Sequence, residues 1–178
     1  AWAAFEEVRS GTGAWRARRR GAEVDGLDGV PSTLRHADPP HGIAGVWPLF
    51  VHRRRRVDVY MDKPTAQVVR VRFAYCFVSP PGSDYPPMVT DRRLTPGHPV
   101  TIEGEGGPIT ALPILQQHGD IASLGFRFGA FAYSCDLSGM PAESAAALAG
   151  LDLWLVGALR YTPHPSHLTL GRALGWVD

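Results

Sequence analysis

The chain has 178 residues, with hydrophobic residues at 44%, charged residues at 20% and a formal net charge of +1. That composition describes a soluble globular domain with length enough for a core, and it excludes a chain disordered as a whole. It also gives no global electrostatic drive toward nucleic acid or a membrane surface, and no apolar run reaches the roughly 18–20 residues of a membrane helix.

The chain opens on Ala1, and "AWAAFEEVRS" lacks the basic start and long apolar stretch of a signal peptide. An N-terminus that was processed, or a place within a longer chain, is the expectation. Cys76 and Cys135 are too few for a disulfide scaffold and point to a reduced, cytoplasmic setting.

Residues 1–26 mix glycine and arginine with little periodicity, so weak order is expected, with a short helix over Trp2 to Arg9. "LDGVPST", Leu27 to Thr33, reads as a short strand entering the histidine-bearing loop "STLRHADPPHGI", Ser32 to Ile43. "HRRRR", His52 to Arg56, reads as a solvated loop leading to an alternating strand over Val57 to Met61. Asp62 followed by Pro64 marks a helix start, and "PTAQVVRVRFAYCF" continues it for three to four turns. "SPPGSDYPPM" cannot sustain either ladder and is a loop.

Four short strands are predicted next, in "HPVTIEG", "PITALPILQQH", "SLGFRFGA" and "FAYSCD". "GEGG", Gly104 to Gly107, is a hairpin turn and not a phosphate loop, because no helix follows it. "SGMPAESAAALAG" reads as a helix with Pro141 in its first turn and Gly150 at its end. "LDLWLVGAL" has the length and apolarity of a buried strand. "HPSHLTLGRALGWVD" begins as loop and ends as helix. The order is mostly β in the middle with helices between and beside the strands, an α/β or α+β pattern with mixed sheets.

Residues of metal-ligand type gather where these strands meet loops: His36, Asp38 and His41, then His118, then Asp136, then His164 and His167. Imidazole with carboxylate suits zinc, manganese or iron. A lone loop histidine is more often a solvated surface residue, so His118, His41 and His98 carry little weight one at a time. Cys135 reads as a small buried residue beside Asp136, and Trp47 and Trp154 as packing.

From Leu27 to Asp178 the chain resembles the metallo-β-lactamase-fold hydrolases, in particular the branch of phosphoribosyl cyclic phosphate phosphodiesterase. "TLRHADPPHGI" overlays that family's T-H-x-H-x-D-H and trailing H-G-I, placing His36 on the second histidine and Asp38 on the aspartate. "QQHGD" places His118 on a metal-binding histidine, and "YSCDLSG" places Asp136 on the bridging aspartate. "ALRYTPHPSHLTLGRAL" places His167 on the histidine that assists at the substrate. "RFAYCF" and "PPGSDYPP" are similar to the same branch.

The resemblance implies an αββα sandwich of two mixed sheets flanked by helices, here partial. It divides the chain into a poorly matched segment, residues 1–26, and a partial metallo-β-lactamase-fold domain, residues 27–178. It implies metal ligation by His36, Asp38, His118 and Asp136, with Asp38 and His167 as catalytic residues. Zinc or manganese would be the metal and a small phosphate ester, phosphodiester or cyclic, the substrate. Neither membrane nor nucleic acid is an expected partner, and a homodimer is allowed.

The departures are specific. Leu34 stands at the motif's leading histidine and Pro39 at its final one, and neither side chain can donate a lone pair. Ala44 and Gly45 replace two acidic residues, and Gly157 replaces the aspartate of "VDALR". The family's N-terminal strand and its C-terminal strand with a last histidine are expected to be missing. A degraded, sub-stoichiometric or absent metal follows. The competing expectation is an inactive member of the fold, acting as a binding module or left as a decayed gene product. Missing edge strands would also lower solubility.

Overall fold

The computed structural model describes the strand positions Arg18–Arg19, Ala22–Glu23 and Gly29–Pro31, then Ile43, residues 46–104 and residues 106–176. The helix expected over Trp2 to Arg9, and the loop holding His36, Asp38 and His41, lie outside the described residues. Two compact units are present: Ala1–Arg93 with Glu103–Gly107, and Leu94–Ile102 with Pro108–Asp178.

In the first unit, β1 (Arg18–Arg19) and β2 (Ala22–Glu23) pair antiparallel. Strands of two residues are too short to show alternation, so the sequence reads only as weakly ordered there. β3 (Gly29–Pro31), β4 (Val57–Met61) and β5 (Val89–Arg93) form a parallel sheet with β4 at its centre. β4 sits where the alternation predicts it, with Val57, Val59 and Met61 buried among Val69, Cys76 and Met88. Burial of each such side chain stabilises by about 1.5–3 kcal/mol.

α1 (Trp47–Arg53) runs into what reads as an arginine-rich loop. Pro48 occupies its first turn, no side chain caps it, and Arg54 ends it in the left-handed region at φ 52°. α2 (Lys63–Arg72) starts as its sequence predicts, with Asp62 accepting a hydrogen bond from the Thr65 amide at 3.0 Å. The predicted continuous helix breaks at Phe73, whose φ of −126° leaves the helical region, and resumes as α3 (Ala74–Phe77). Trp47 stacks on Tyr85 of the proline-rich loop, ring centroids 4.5 Å apart.

In the second unit, β6 (Val100–Ile102), β7 (Ile109–His118), β8 (Ile121–Phe128), β9 (Phe131–Ser134) and β10 (Leu153–Val156) form one mixed sheet, ordered β10-β9-β8-β7-β6. Only the β9–β10 pair is parallel. "GEGG" closes the β6–β7 hairpin as predicted, the Gly107 amide donating to Gly104 O.

"LDLWLVGAL" is not a buried strand. It breaks at Gly157 into β10 and β11 (Ala158–Arg160), and β10 is the last strand of its sheet. Leu153 and Leu155 are 55% and 51% exposed. An apolar run gives a strand's length but not whether it has neighbours on both sides. α4 (Ala142–Ala146) is shorter than its alanine-rich sequence predicts. The Arg127 guanidinium donates to Ala147 O and Ala149 O, and those carbonyls end the helix instead of extending it.

β12 (Leu168–Thr169) pairs parallel with β11, and α5 (Leu170–Leu174) follows, capped by Thr169. Leu137, Leu168 and Ala173 form a small core there. Trp154 stacks on Trp176 and donates its indole N–H to Ser134 Oγ at 3.0 Å.

The middle of this sheet carries a buried polar strip. Gln116 is 1% exposed, and its side-chain nitrogen has no partner among the described residues. A Cβ at Gly125 would lie 2.3 Å from Gln116 Nε2, 3.0 Å from its Cδ and 3.0 Å from Ser134 Oγ. Gly125→Ala is therefore expected to destabilise the chain by about 1–3 kcal/mol. Thermal unfolding checks this, and an unchanged Tm would show that Gln116 swings aside at no cost.

Candidate functional site

The site grows from three chain segments that the second unit brings to one end of its sheet. The first is the end of β7. His118 is its last residue and is 5% exposed. Gly119 follows at φ +60°, opening the tight turn into β8, where the left-handed conformation favours glycine. A Cβ there would also lie 3.1 Å from Ser166 Cβ, so the turn and the histidine loop touch.

The second segment follows β9. Asp136 adopts φ +51°, one of two described non-glycine residues with positive φ. Its carbonyl accepts from Ser123 Oγ at 2.8 Å. Leu137 is fully buried, the Ser138 amide donates to Gln117 O at 2.7 Å, and Gly119 N–H donates to Ser138 Oγ at 3.1 Å. These bonds fasten the Asp136 segment to the end of β7 and fix where the carboxylate emerges.

The third segment is the loop between β11 and β12, held by Leu168 N–H donating to Leu137 O at 2.8 Å. It carries His164, Ser166 and His167. The His167 ring packs edge-on against His118, centroids 4.7 Å apart, and lies 5.0 Å from His164. His167 Nδ1 is 3.8 Å from Asp136 Oδ1.

Burial pushes the His167 pKa below its ordinary value, and the neighbouring His118 adds to this, while Asp136 opposes it. The balance favours the neutral ring. Burial likewise raises the Cys135 thiol, keeping it protonated near neutrality.

His118 Nδ1 lies 2.7 Å from Ser166 O. A carbonyl can only accept, so Nδ1 carries the proton and Nε2 of the neutral ring carries the lone pair. This is the tautomer a metal-ligating histidine needs, oriented by the kind of backbone partner such ligands commonly use.

The structure thus brings His118, Asp136 and His167 together, with His164 beside them. His36 and Asp38 are outside the described residues. No group of three His, Cys, Asp or Glu among the described residues is arranged to hold a metal ion by itself. The donors present fit a divalent metal in kind, since a lone pair set on His118 Nε2 and the Asp136 carboxylate are borderline and hard ligands respectively. The serines were missed by sequence reasoning. Ser123, Ser138 and Ser166 orient the site through single hydroxyl or backbone groups; "HPSH" and "YSCDLSG" displayed Ser166 and Ser138 but gave no sign of these roles.

A chain with mixed α/β sheets and imidazole–carboxylate groups at strand ends has the architecture of the metallo-β-lactamase fold, as comparison with solved structures shows. A diphosphatase from the PhnP family superposes with a TM-score of 0.71 at 30% identity, covering 84% of this chain and 55% of that one. YhfI of Bacillus subtilis, a metallo-beta-lactamase fold protein, gives 0.59 at 15% identity, covering 80% and 56%. The beta-lactamase superfamily domain matches residues 4–178, and the chain belongs to that family.

A Porphyromonas gingivalis protein named octanoyltransferase is 29% identical over 159 residues, 88% of this chain and 30% of that protein. The chain therefore spans little more than half the length of these solved relatives and less than a third of the curated one. No described helix is long and apolar enough to cross a membrane.

Proposed function

We propose that this chain is a metal-dependent hydrolase of phosphodiester or cyclic phosphate substrates whose first metal loop is degraded. The observation that carries the reading is the convergence of His118, Asp136 and His167, with His118 Nδ1–H committed to Ser166 O. Likeness to a diphosphatase supports phosphoryl chemistry over other hydrolyses.

In this reading His36, Asp38, His118 and Asp136 would hold divalent zinc or manganese. When bound, the metal supplies Lewis acidity to a phosphoryl oxygen and makes water a stronger acid. Asp38 orients the attacking water. His167 stabilises the leaving ester oxygen by a hydrogen bond from its ring N–H; to protonate that oxygen the ring would first have to take up the proton released by the attacking water. The small phosphate ester is the partner, with neither nucleic acid nor membrane. A homodimer and a cytoplasmic setting fit the reading.

Leu34 and Pro39 favour a second reading, a member of the fold that no longer turns over. Elemental analysis and hydrolysis of bis(4-nitrophenyl) phosphate separate the two. The first predicts fewer than two ions per chain, with slow hydrolysis that added zinc or manganese raises and a chelator abolishes. Hydrolysis indifferent to chelator would end the metal reading, and absence of both metal and hydrolysis would establish the second.

A further inference from the structure

Ser166 sits between two histidines and treats them oppositely. Its carbonyl accepts from His118 Nδ1–H at 2.7 Å. Its own amide N–H lies 3.3 Å from His164 Nδ1, and its Oγ also lies 3.3 Å from that nitrogen. An amide N–H can only donate, so His164 Nδ1 is the acceptor and carries no proton. In the neutral His164 ring the proton must then reside on Nε2.

The two rings are therefore complementary. His118 presents a lone pair from Nε2, and His164 presents an N–H from Nε2. The Nδ1 edge of His164 is tied back to its own loop, which turns the opposite edge away from the loop backbone. The His164 ring lies 5.0 Å from His167 and is half-buried. Arg160, exposed in the adjoining strand β11, pairs with Thr169, two residues after His167. An imidazole N–H and, on the adjoining strand, a guanidinium are donors of the kind that hold phosphate oxygens.

We propose that His164 binds a non-bridging oxygen of the substrate phosphate through Nε2–H, and that Ser166 is the positioning residue that sets His118 and His164 in opposite tautomers. The substrate class this selects is an anionic phosphate ester whose free oxygens accept hydrogen bonds. The inference rests on the phosphoester reading above, but it requires no turnover and no change in protonation.

Long-range 15N–1H spectra of the full chain with 15N-labelled histidine, at about pH 8 where an ordinary imidazole is neutral, read the tautomers directly. His118 is expected as Nδ1–H and His164 as Nε2–H. Inorganic phosphate is then titrated in. The His164 Nε2 resonance is expected to move, and His164→Phe to weaken phosphate binding about tenfold, the loss typical of one hydrogen bond to a charged group. His164→Gln, which keeps a donor near the Nε2 position, is expected to recover much of that loss. Finding His164 as Nδ1–H, or phosphate bound equally by His164→Phe and the parent, would overturn the proposal. Because neither measurement needs catalysis, a chain that hydrolyses nothing yet shows both signatures keeps this inference and loses only the hydrolase reading.

Discussion

The Leu34→His, Pro39→His double variant is expected to hold about two divalent ions per chain, the complement of a two-metal site, where the parent holds fewer. Its hydrolysis of a generic phosphodiester should rise by about 100-fold or more, beyond the roughly 10–100-fold that outer-shell partners of a metal contribute. A catalytic metal normally takes three protein ligands and keeps one position open. Leucine and proline at these positions supply none. Proline also fixes φ and deletes an amide N–H in a loop whose backbone must aim His36 and Asp38. Elemental analysis and steady-state rates of the two chains side by side measure the effect. A repaired chain with no more metal than its parent would show that residues 33–43 are not a metal loop.

The second large effect is expected from Asp136→Asn. The residue holds φ +51°, a conformation asparagine tolerates better than other non-glycine replacements, and its carbonyl bond from Ser123 is a backbone feature that the substitution leaves in place. The fold should thus survive with a Tm within a few degrees of the parent. The carboxylate charge is lost, and divalent metal affinity should drop by more than about 100-fold, since a direct ligand outweighs an outer-shell one. Isothermal titration with zinc or manganese reads it. Undiminished metal affinity in the asparagine variant would remove Asp136 from the ligand set. Asp136→Val is the contrasting control, because a β-branched side chain strains the left-handed backbone and should lower the Tm as well.

The parts of the fold legible in the sequence were those where one physical signal dominated. Alternation placed β4, bounding glycines, prolines and charges marked out the strands of "PITALPILQQH" and "SLGFRFGA", and an aspartate before proline placed the start of α2. α1 was illegible because Trp47–Arg53 lacks a side-chain cap and runs into arginines, so its local signals read as loop. β5 was missed because "VTDRR" is charged. Its arginines are satisfied by Asp58 and the Asp62 carbonyl, partners distant in sequence, and by Asp91 two residues away in the same strand.

For the site, residue types at strand ends marked His118, Asp136, His164 and His167 among other candidates, and it was the family resemblance that gave His118, Asp136 and His167 their roles. What they could not disclose was how each is aimed. That depends on a carbonyl of Ser166, a hydroxyl of Ser123 and the backbone of Asp136, and backbone groups are the same for every residue type. His164 was visible as a histidine, but its tautomer exists only in three dimensions.

The contact between Gly119 and Ser166 has a consequence for how this centre keeps its shape. The turn that ends β7 and the loop that carries the histidines meet at a spacing where a single added carbon would already be tight. A side chain at residue 119 would press on the loop whose backbone orients His118 and His164, so the turn's glycine guards the donor pattern. The backbone, not a ligand, orients the His118 and His164 rings, which lowers the reorganisation a ligand at that end of the sheet would require of them.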